Sequence, residues 1–451
     1  MALVESTFVA LSTPWGASGV AVVRCSGPLC LPLYEAIFSQ APGPRRTYVR
    51  IYRTINGSVL DRVVVAYYCA PRSYTGQDML EISCHGNPLI IQKILEDLCS
   101  RGCRLAEPGE FTRTAFLNGK MDLAQAEAVA DLIHCQSEAA LRTAQNQLAG
   151  GIGRAIEDIC GQLVRILAHL EVTLDFPEEE PFPIDATEIM ANLDAIGNQL
   201  NKLEATIRYR PILEFGVQTV IIGPPNVGKS SLLNGLLSRE RALVSSIAGT
   251  TRDFLEESIS IGTWNLRIVD TAGLHHATDD LEQLGMRRSR EKLEAADFVL
   301  LVLDGSRAIP SLNHFDWAIL GQKKGLVLLN KRDLPTLADG THVPLPWERI
   351  SVSAINSSDM AKLKNRICQE LEANRIVPND LPCVVNMRQS GCLRGAIRGT
   401  EAARKLLQKE QAMDLAAAEL NFALKFLGKI TGRDTSEDVL SQIFDQFCIG
   451  K

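Results

Sequence analysis

The spacing of apolar and polar positions changes several times along the chain. Up to about residue 118, short β-branched or apolar runs alternate with Pro/Gly clusters, which is typical of strands joined by turns. The predicted strands are 7–11, 20–24, 63–69 and 79–83. A single stretch with helical spacing follows Pro88 and can end at Gly102, which predicts one amphipathic helix. This part of the chain therefore reads as a small α+β domain.

From about residue 120 to 208 the apolar positions take a helical spacing, and Ala, Leu, Gln and Glu are frequent. Three prolines interrupt this pattern within residues 175–183, and because proline cannot continue a helix we expect a loop there. After Pro378 the helical spacing returns, with predicted helices at 401–428 and 435–447. The two helical stretches together predict an all-α domain.

Between residue 217 and about residue 375, predicted strands and helices alternate. The strands are 217–222, 255–261, 266–269, 298–303 and 325–329, and the helices are 230–237 and 360–371. Such alternation predicts a doubly wound, mostly parallel α/β sheet. The simplest architecture inserts this sheet between two halves of the helical domain. The predicted boundaries are 1–118, 119–212, 213–376 and 377–451.

Composition excludes several classes of protein. The chain has 451 residues, of which 46% are apolar and 22% charged, so it should fold into several globular domains. The chain has 47 Lys and Arg residues against 53 Asp and Glu residues, so its surface as a whole is not basic enough to bind nucleic acid non-specifically. The longest apolar run, 298–303, is far too short to span a membrane.

The cysteines and the N-terminus bear on location. Twelve cysteines are scattered without a C-x-x-C pair, which favours free thiols in a reducing compartment over a zinc site. The first residues lack the basic and apolar regions of a signal peptide. We therefore predict a cytoplasmic protein.

The strongest motif is Gly223-Pro-Pro-Asn-Val-Gly228-Lys229-Ser230, which fits G-x-x-x-x-G-K-[ST] between a predicted strand and a predicted helix. Backbone N–H groups of such a loop cradle phosphates. Lys229 would reach the β- and γ-phosphates, and the Ser230 hydroxyl would bind Mg²⁺. The motif predicts a Ras-like P-loop nucleotide site.

Three further segments follow in the order of a guanine-nucleotide enzyme. The segment 270–273 ends a strand, so that Asp270 can hold the Mg²⁺ shell and the Gly273 amide can face the γ-phosphate. Asp333, in the segment 330–333, can accept two N–H bonds from guanine, and the segment 351–354 can close over the base. An Asp at a strand end is more often a turn residue, so the order of all four motifs carries the prediction.

The segment 249–253 lies where a switch loop is expected, and it offers a hydroxyl for Mg²⁺. A plain polar loop is the alternative reading. The residue after Gly273 is Leu274 and not glutamine, so another group must position the attacking water.

With these motifs in view, the sequence resembles the MnmE (TrmE) family of tRNA-modifying GTPases. The marks beyond the GTPase motifs are the segments 13–16, 24–27, 108–112, 115–127, 249–253 and 448–451. The resemblance implies a homodimer with a folate-binding-like N-terminal domain, a central helical domain and an inserted GTPase domain. It also implies an MnmG-type FAD protein as partner, and tRNA as substrate, modified at C5 of wobble uridine 34 with a carboxymethylaminomethyl or aminomethyl group.

The resemblance also implies a nucleotide site completed by K⁺. The expected GTP-contacting residues are Asn226, Val227, Gly228, Lys229, Ser230, Ser231, Ser245, Ser246, Ile247, Ala248, Gly249, Thr250, Thr251, Asp270, Thr271, Ala272, Gly273, Asn330, Lys331, Asp333, Ser353 and Ala354. The expected Mg²⁺ ligands are Ser230 and Thr251, and the expected K⁺ ligands are Asn226, Ser245, Ile247 and Thr250. Glu282 matches the carboxylate that orients the water, although by itself it reads as an ordinary glutamate at a helix start.

A second site is implied for a one-carbon carrier, 5-formyl- or methylene-tetrahydrofolate. Its expected residues are Arg24, Glu81, Lys120 and Lys451. Arginine and lysine suit the carboxylates of the glutamate tail, and a glutamate suits the amino edge of the pterin. Cys448 is expected near this site as a candidate participant in the chemistry, with a buried structural thiol as the alternative.

Two other functions compete with a tRNA-modifying, K⁺-stimulated GTPase. An Era-like switch GTPase of ribosome assembly would carry a KH module, but no G-x-x-G loop occurs after residue 376. An ATP-dependent transporter or helicase motor is disfavoured by the guanine-type segment 330–333.

Overall fold

A computed structural model describes residues 6–43, 46–175, 186–237, 256–270, 290–308, 316–337, 343–374, 376–378, 381, 383–408 and 412–451. The chain divides into two compact units. One unit comprises Met1–Ala130, Gln147–Asn201 and Gly391–Lys451, and the other comprises Asp131–Asn146 and Lys202–Ser390. Within the described ranges, no helix is both long and apolar enough to cross a membrane.

The first unit contains a six-stranded sheet. Its strands are β1 (Phe8–Leu11), β2 (Ser18–Ser26), β3 (Thr47–Arg53), β4 (Val59–Tyr68), β5 (Met79–Gly86) and β6 (Arg104–Leu105). They are ordered β3-β4-β5-β2-β1-β6, and every pair is antiparallel except β1 with β6. Val23, Cys25, Leu80 and Ile82 are fully buried on one face of the sheet. Alternation along the strands places Arg24 and Glu81, which are register partners, on the other face.

The α-helices of the described residues follow in chain order. They are α1 (Cys30–Phe38), α2 (Pro88–Ser100), α3 (Glu110–Leu117), α4 (Leu123–His134), α5 (Glu138–Leu148), α6 (Gly151–Asp175), α7 (Ala186–Glu204), α8 (Arg210–Phe215), α9 (Lys229–Leu237), α10 (Trp317–Leu320), α11 (Ser357–Ala373), α12 (Met387–Leu407), α13 (Met413–Thr431) and α14 (Glu437–Phe444). A 3₁₀ helix, Ala205–Tyr209, joins α7 to α8.

Local signals explain where several helices begin. In α2, Asn87 accepts the N–H of Leu89 and Pro88 occupies the first turn, where its missing N–H costs nothing. In α11, the side chain of Asn356 accepts the N–H groups of Ser358 and Asp359. In the first unit, α1 and α2 supply apolar side chains to the core beneath the sheet, and α6 packs against α13.

The second unit contains another six-stranded sheet. Its strands are β7 (Val217–Ile222), β8 (Glu256–Ile261), β9 (Trp264–Asp270), β10 (Phe298–Asp304), β11 (Lys324–Asn330) and β12 (Glu348–Ser351). The order is β12-β11-β10-β7-β9-β8, and all neighbours are parallel except β8 with β9. Successive residues of β10 enter two separate apolar cores, so both faces of the sheet are covered.

Residues 131–146 belong to this second unit. The backbone N–H of Glu138 donates to the carbonyl oxygen of Thr263 at 3.2 Å. The side chain of Asn265 donates to that of Gln136 at 3.1 Å, and Ala140 joins the apolar core of the unit. The turn between β8 and β9 is therefore bonded to the start of α5. The predicted domain boundaries, which assign this segment to the helical domain, stay a prediction.

The prediction of a single helix in the first 118 residues is wrong, because α1 and α3 also lie there. The strand β3 was not predicted either. In α1, Pro32 lies in the first turn, where it is compatible with a helix although it resembles a break in the sequence. The predicted helix at 401–428 is also wrong, since α12 ends at Leu407 and α13 begins at Met413.

Candidate functional site

The phosphate-binding motif forms the turn between β7 and α9. Its first residue, Gly223, has φ +157°, and a Cβ there would lie 2.1 Å from the carbonyl oxygen of Val302 on β10. Asn226 adopts the left-handed conformation with φ +63° and its side chain is exposed. The Lys229 ammonium is buried within the turn, where it donates to the carbonyl oxygens of Gly223 and Pro224 at 2.9 Å each. The loop is therefore a compact cradle with an ammonium at its centre.

Asn330 joins this cradle to two other loops. Its Nδ2 donates to the carbonyl oxygen of Val227 at 2.8 Å, and its Oδ1 accepts the N–H of Ala354 at 3.1 Å. The side chain is buried, so both bonds satisfy groups that water cannot reach. A Cβ at Gly228 would lie 2.4 Å from the same Nδ2, which explains a glycine with φ +93° at that position. Three predicted motifs thus meet at one amide.

Lys331 makes a second connection. Its backbone is left-handed, with φ +66°, and its Nζ donates to the carbonyl oxygen of Asn226 at 3.1 Å and to Asp304 at 2.6 Å. Partial burial acts to raise the pKa of the Asp304 carboxyl. Hydrogen bonds from Lys331 and Ser306 outweigh this effect and lower that pKa below its ordinary value. Sequence analysis missed Asp304, although an acidic residue at the end of a buried strand was the available signal.

Asp333 lies exposed at the mouth of the site. Its Oδ1 accepts the hydroxyl of Ser353 at 2.6 Å, and Ser353 is buried. The Ser353 hydroxyl therefore fixes one carboxylate oxygen of the residue that was predicted to read guanine. Ser230 and Ser231 lie in the first turn of α9, and Ser230 is exposed.

The remaining predicted nucleotide residues are not all described. Asp270 is the last residue of β9. Outside the described residues lie Ser245, Ser246, Ile247, Ala248, Gly249, Thr250, Thr251, Thr271, Ala272, Gly273 and Glu282. The structure therefore places Asn226 of the expected K⁺ ligands and Ser230 of the expected Mg²⁺ ligands.

The predicted folate residues Arg24 and Glu81 form an ion pair on the face of the first sheet that packs against Phe111 of α3. Nη2 and Nε of Arg24 lie 2.8 and 2.9 Å from Oε1 of Glu81. The hydroxyl of Tyr68 donates to Oε2 of Glu81 at 3.3 Å. Burial, and then the Glu81 carboxylate, raise the pKa of Tyr68, so this phenol stays a hydrogen-bond donor at neutral pH.

The last residues of the chain lie against the same arginine. The carbonyl oxygen of Gly450 accepts bonds from Nη1 of Arg24 at 3.4 Å and from Oγ of Ser12 at 3.2 Å. A carbonyl oxygen of Lys451 accepts the N–H of Phe111 at 3.2 Å. Arg24 therefore links the sheet to the C-terminal tail, a contact that sequence spacing could not reveal.

Cys448 and Lys120 are the remaining residues predicted for the folate site. Cys448 is exposed, and its carbonyl oxygen accepts the N–H of Gly109 at 3.5 Å. Nζ of Lys120 donates to the carbonyl oxygen of Pro71 at 3.0 Å, at the loop between β4 and β5. The buried-thiol alternative for Cys448 is therefore wrong.

Two family models match the chain. One, for the N-terminus of the GTP-binding protein TrmE, matches residues 7–120, and the other, for the MnmE helical domain, matches residues 123–448. Together with the P-loop sheet, they confirm the predicted fold class of an N-terminal α+β domain, a central helical domain and an inserted α/β domain.

Similar proteins cover the whole chain. The tRNA modification GTPase MnmE of Opitutus terrae is 44% identical over 448 residues, covering 99% of this chain and 99% of that protein. The protein of the same name from Akkermansia muciniphila is 40% identical, with 99% of both chains covered. Among solved structures, the G domain of the T. maritima FeoB iron transporter is 23% identical, with a TM-score of 0.26, and covers 34% of this chain and 98% of that one.

Proposed function

The chain belongs to the MnmE (TrmE) family of tRNA modification GTPases, and from this premise we propose how its two sites work together. GTP hydrolysis in the second unit drives a tRNA modification that uses the sheet face of the first unit that carries Arg24 and Glu81. The observation that carries the proposal is the meeting of three GTPase loops at Asn330, which bonds to Val227 and Ala354. A nucleotide held there would have its phosphates at the cradle and its base at Asp333.

The residues of the cradle fit a guanine nucleotide with Mg²⁺. The Lys229 ammonium is already directed into the loop, so it would contact the β- and γ-phosphates. The exposed Ser230 hydroxyl, at the N-terminus of α9, would bind Mg²⁺, with Thr251 as the second predicted ligand. When bound, Mg²⁺ would offset the negative charge on the phosphate oxygens. Glu282 stays the predicted group that orients the attacking water.

In some GTPases an arginine from an activating protein stabilises the negative charge of the transition state. We propose that K⁺ supplies this positive charge here. The exposed side chain of Asn226 supports this, because its backbone is fixed by the Lys331 bond and its amide oxygen is a suitable ligand for a hard cation. Ser245, Ile247 and Thr250 are the other predicted ligands. When bound, K⁺ would add positive charge beside the phosphates, where charge develops during transfer. Pairing of two G domains would complete the site.

The first unit would hold 5-formyl- or methylene-tetrahydrofolate. Its donor set fits, because Glu81 offers a carboxylate to the amino edge of a pterin, and Lys120 and Lys451 offer cations to the glutamate tail. Arg24 is already bonded to Glu81 and to Gly450, so we propose that it orients these groups more than it binds the tail carboxylates. When bound, the folate would supply a one-carbon unit, and the exposed Cys448 is the candidate participant in that chemistry.

Membership of the family supports a proposal for the wider assembly. We propose a homodimer that acts with an MnmG-type FAD protein in the cytoplasm and installs a carboxymethylaminomethyl or aminomethyl group at C5 of wobble uridine 34. Nucleotide-dependent movement of the second unit would set the timing of that reaction. The ribosome-assembly alternative has no observation in its favour.

Steady-state hydrolysis of GTP and ATP by the full chain tests the proposal. The assay compares KCl with NaCl at equal ionic strength, with Asn226→Ala as the variant. We expect GTP-selective turnover that requires K⁺ and falls by at least about tenfold in the variant. Turnover of ATP at the GTP rate would overturn the proposed nucleotide, and cation-independent GTP turnover would overturn the K⁺ site alone.

A further inference from the structure

Two loops meet at the mouth of the nucleotide site, and one buried carboxylate joins them. Oδ1 of Asp359 lies 3.2 Å from Nη1 of Arg332, in the loop that follows β11. Oδ2 of Asp359 accepts the backbone N–H of Ser353 at 3.0 Å, in the loop that follows β12. Asp359 is only 6% exposed and lies in the first turn of α11. Both loops are therefore tied to the start of that helix.

Asp359 is linked in two ways to Asp333, the residue predicted to bind guanine. Ser353 is fixed at its N–H by Asp359, and its hydroxyl donates to Oδ1 of Asp333 at 2.6 Å. Arg332 directly precedes Asp333 in the chain, so its ion pair with Asp359 restrains the same loop from the other side. A buried carboxylate with two partners on different loops limits the positions that Asp333 can adopt.

An acidic residue in the first turn of a helix is favourable without any partner, because it complements the helix dipole. That role alone would leave the carboxylate directed to solvent or to the N–H groups of its own helix. Here both oxygens contact residues outside α11, and the contact with Ser353 is buried. The geometry therefore points beyond helix capping.

We propose that Asp359 is a positioning residue for guanine specificity, which orients Asp333 through Ser353 and Arg332 without touching the nucleotide. The inference rests on the proposed function, since it assumes that Asp333 accepts the N1–H and N2–H groups of guanine. Discrimination between guanine and a base without the 2-amino group depends on that carboxylate's alignment, because a bidentate contact loses its second bond when the carboxylate tilts.

The test measures dissociation constants of GDP, IDP and ADP for the full chain by titration calorimetry. Inosine lacks the 2-amino group, so wild type should bind GDP more tightly than IDP. In Asp359→Ala we expect GDP affinity to fall about tenfold while IDP affinity changes much less, so that the GDP-to-IDP preference collapses. The KM for GTP should rise while kcat at saturation stays within about twofold.

Controls separate positioning from folding. Asp438→Ala removes an exposed first-turn acid from α14 and should leave the GDP-to-IDP ratio unchanged. Asp359→Asn keeps an oxygen for the Ser353 N–H and serves if the alanine variant does not fold. In the double variant of Asp359→Asn with Arg332→Ala, the changes in the GDP-to-IDP affinity ratio should be non-additive, as expected for residues of one connected network.

Two outcomes are distinguishable. If wild type binds ADP as tightly as GDP, the proposed function is overturned and this inference falls with it. If wild type prefers GDP but Asp359→Ala and Asp359→Asn keep the wild-type GDP-to-IDP ratio, the positioning role alone is overturned.

Discussion

The side-chain amide of Asn330 lies 2.8 Å from the carbonyl oxygen of Val227, so the guanine-type loop is bonded directly to the phosphate-binding loop. The same side chain accepts the N–H of Ala354 at 3.1 Å. Because both partners are backbone groups, one asparagine holds the phosphate-binding loop and the segment 351–354 against the segment 330–333. Its loss should therefore affect the whole site.

We expect Asn330→Ala to weaken GDP binding by about tenfold to a hundredfold, because it leaves the Val227 carbonyl and the Ala354 N–H without partners. Titration calorimetry measures this change. Asn374→Ala is the control, since that side chain bonds to Glu370 at the end of α11. Equal affinities in wild type and Asn330→Ala would contradict the linking role.

Gly228→Ala should abolish nucleotide binding. The new Cβ would lie 2.4 Å from Nδ2 of Asn330, and φ is +93° there, so the loop must distort. Gly197→Ala is the matched substitution in α7, where no atom lies within 4 Å of the added Cβ. We expect it to raise stability by about 0.5–1 kcal/mol with normal GDP affinity. Normal GDP affinity in Gly228→Ala would disprove the steric argument.

Glu81→Gln should lower the affinity for 5-formyltetrahydrofolate by about tenfold, because it removes the charge that pairs with Arg24 and would meet the pterin. Fluorescence titration of the full chain measures the affinity. Glu96→Gln is the control, since Glu96 bonds to the exposed Gln92 on α2. If Glu81→Gln binds folate as wild type does, the site lies elsewhere.

Alkylation by iodoacetamide should mark Cys69 and Cys448 first, because both are exposed. Burial, and then the Asp61 carboxylate, raise the pKa of Cys84 to about 11, and burial alone raises that of Cys383 to about 11. At pH 8 roughly one in a thousand of either buried thiol would be thiolate, the form that reacts. Peptide mass spectrometry after short exposure to iodoacetamide measures the order in which the cysteines are alkylated. Early alkylation of Cys84 would contradict its burial.

The raised pKa values of Cys84 and Cys383 also determine how the stability of the folded protein changes with pH. A thiol whose pKa is raised by folding contributes stability that is complete below the ordinary thiol pKa and is lost as pH rises toward about 11. We expect Cys84→Ala to flatten the alkaline decline in melting temperature, while Cys69→Ala leaves it unchanged. Parallel alkaline curves for wild type and Cys84→Ala would contradict this.

The sequence predicts best where one signal dominates. The buried strands β10 and β11 consist mostly of continuous apolar runs. The phosphate-binding loop and the segments 330–333 and 351–354 follow β7, β11 and β12, which end at the same edge of the sheet because these strands are parallel. The phosphate-binding loop and the residues Asn330 and Ser353 therefore meet as the motif order predicts.

The rest depended on information that spacing does not carry. Asp359 belongs to no predicted motif and Arg332 had no predicted role within the segment 330–333, so only the fold brings the two side chains together. The contact between Arg24 and Gly450 joins the two ends of the sequence. No Gly or Pro marks the interruption between α12 and α13, so the spacing alone favoured one continuous helix.

The bond between Glu138 and Thr263 has a practical consequence for anyone who expresses the GTPase part alone. A fragment cut at residues 213–376 would omit Gln136 and the helix α5 with Ala140, and would expose apolar core and polar groups of the β8–β9 turn to water. Such a fragment should aggregate more readily than one supplemented with a peptide of residues 131–146. We therefore expect a well-behaved GTPase fragment to require the separate stretch 131–146 in addition to residues 213–376.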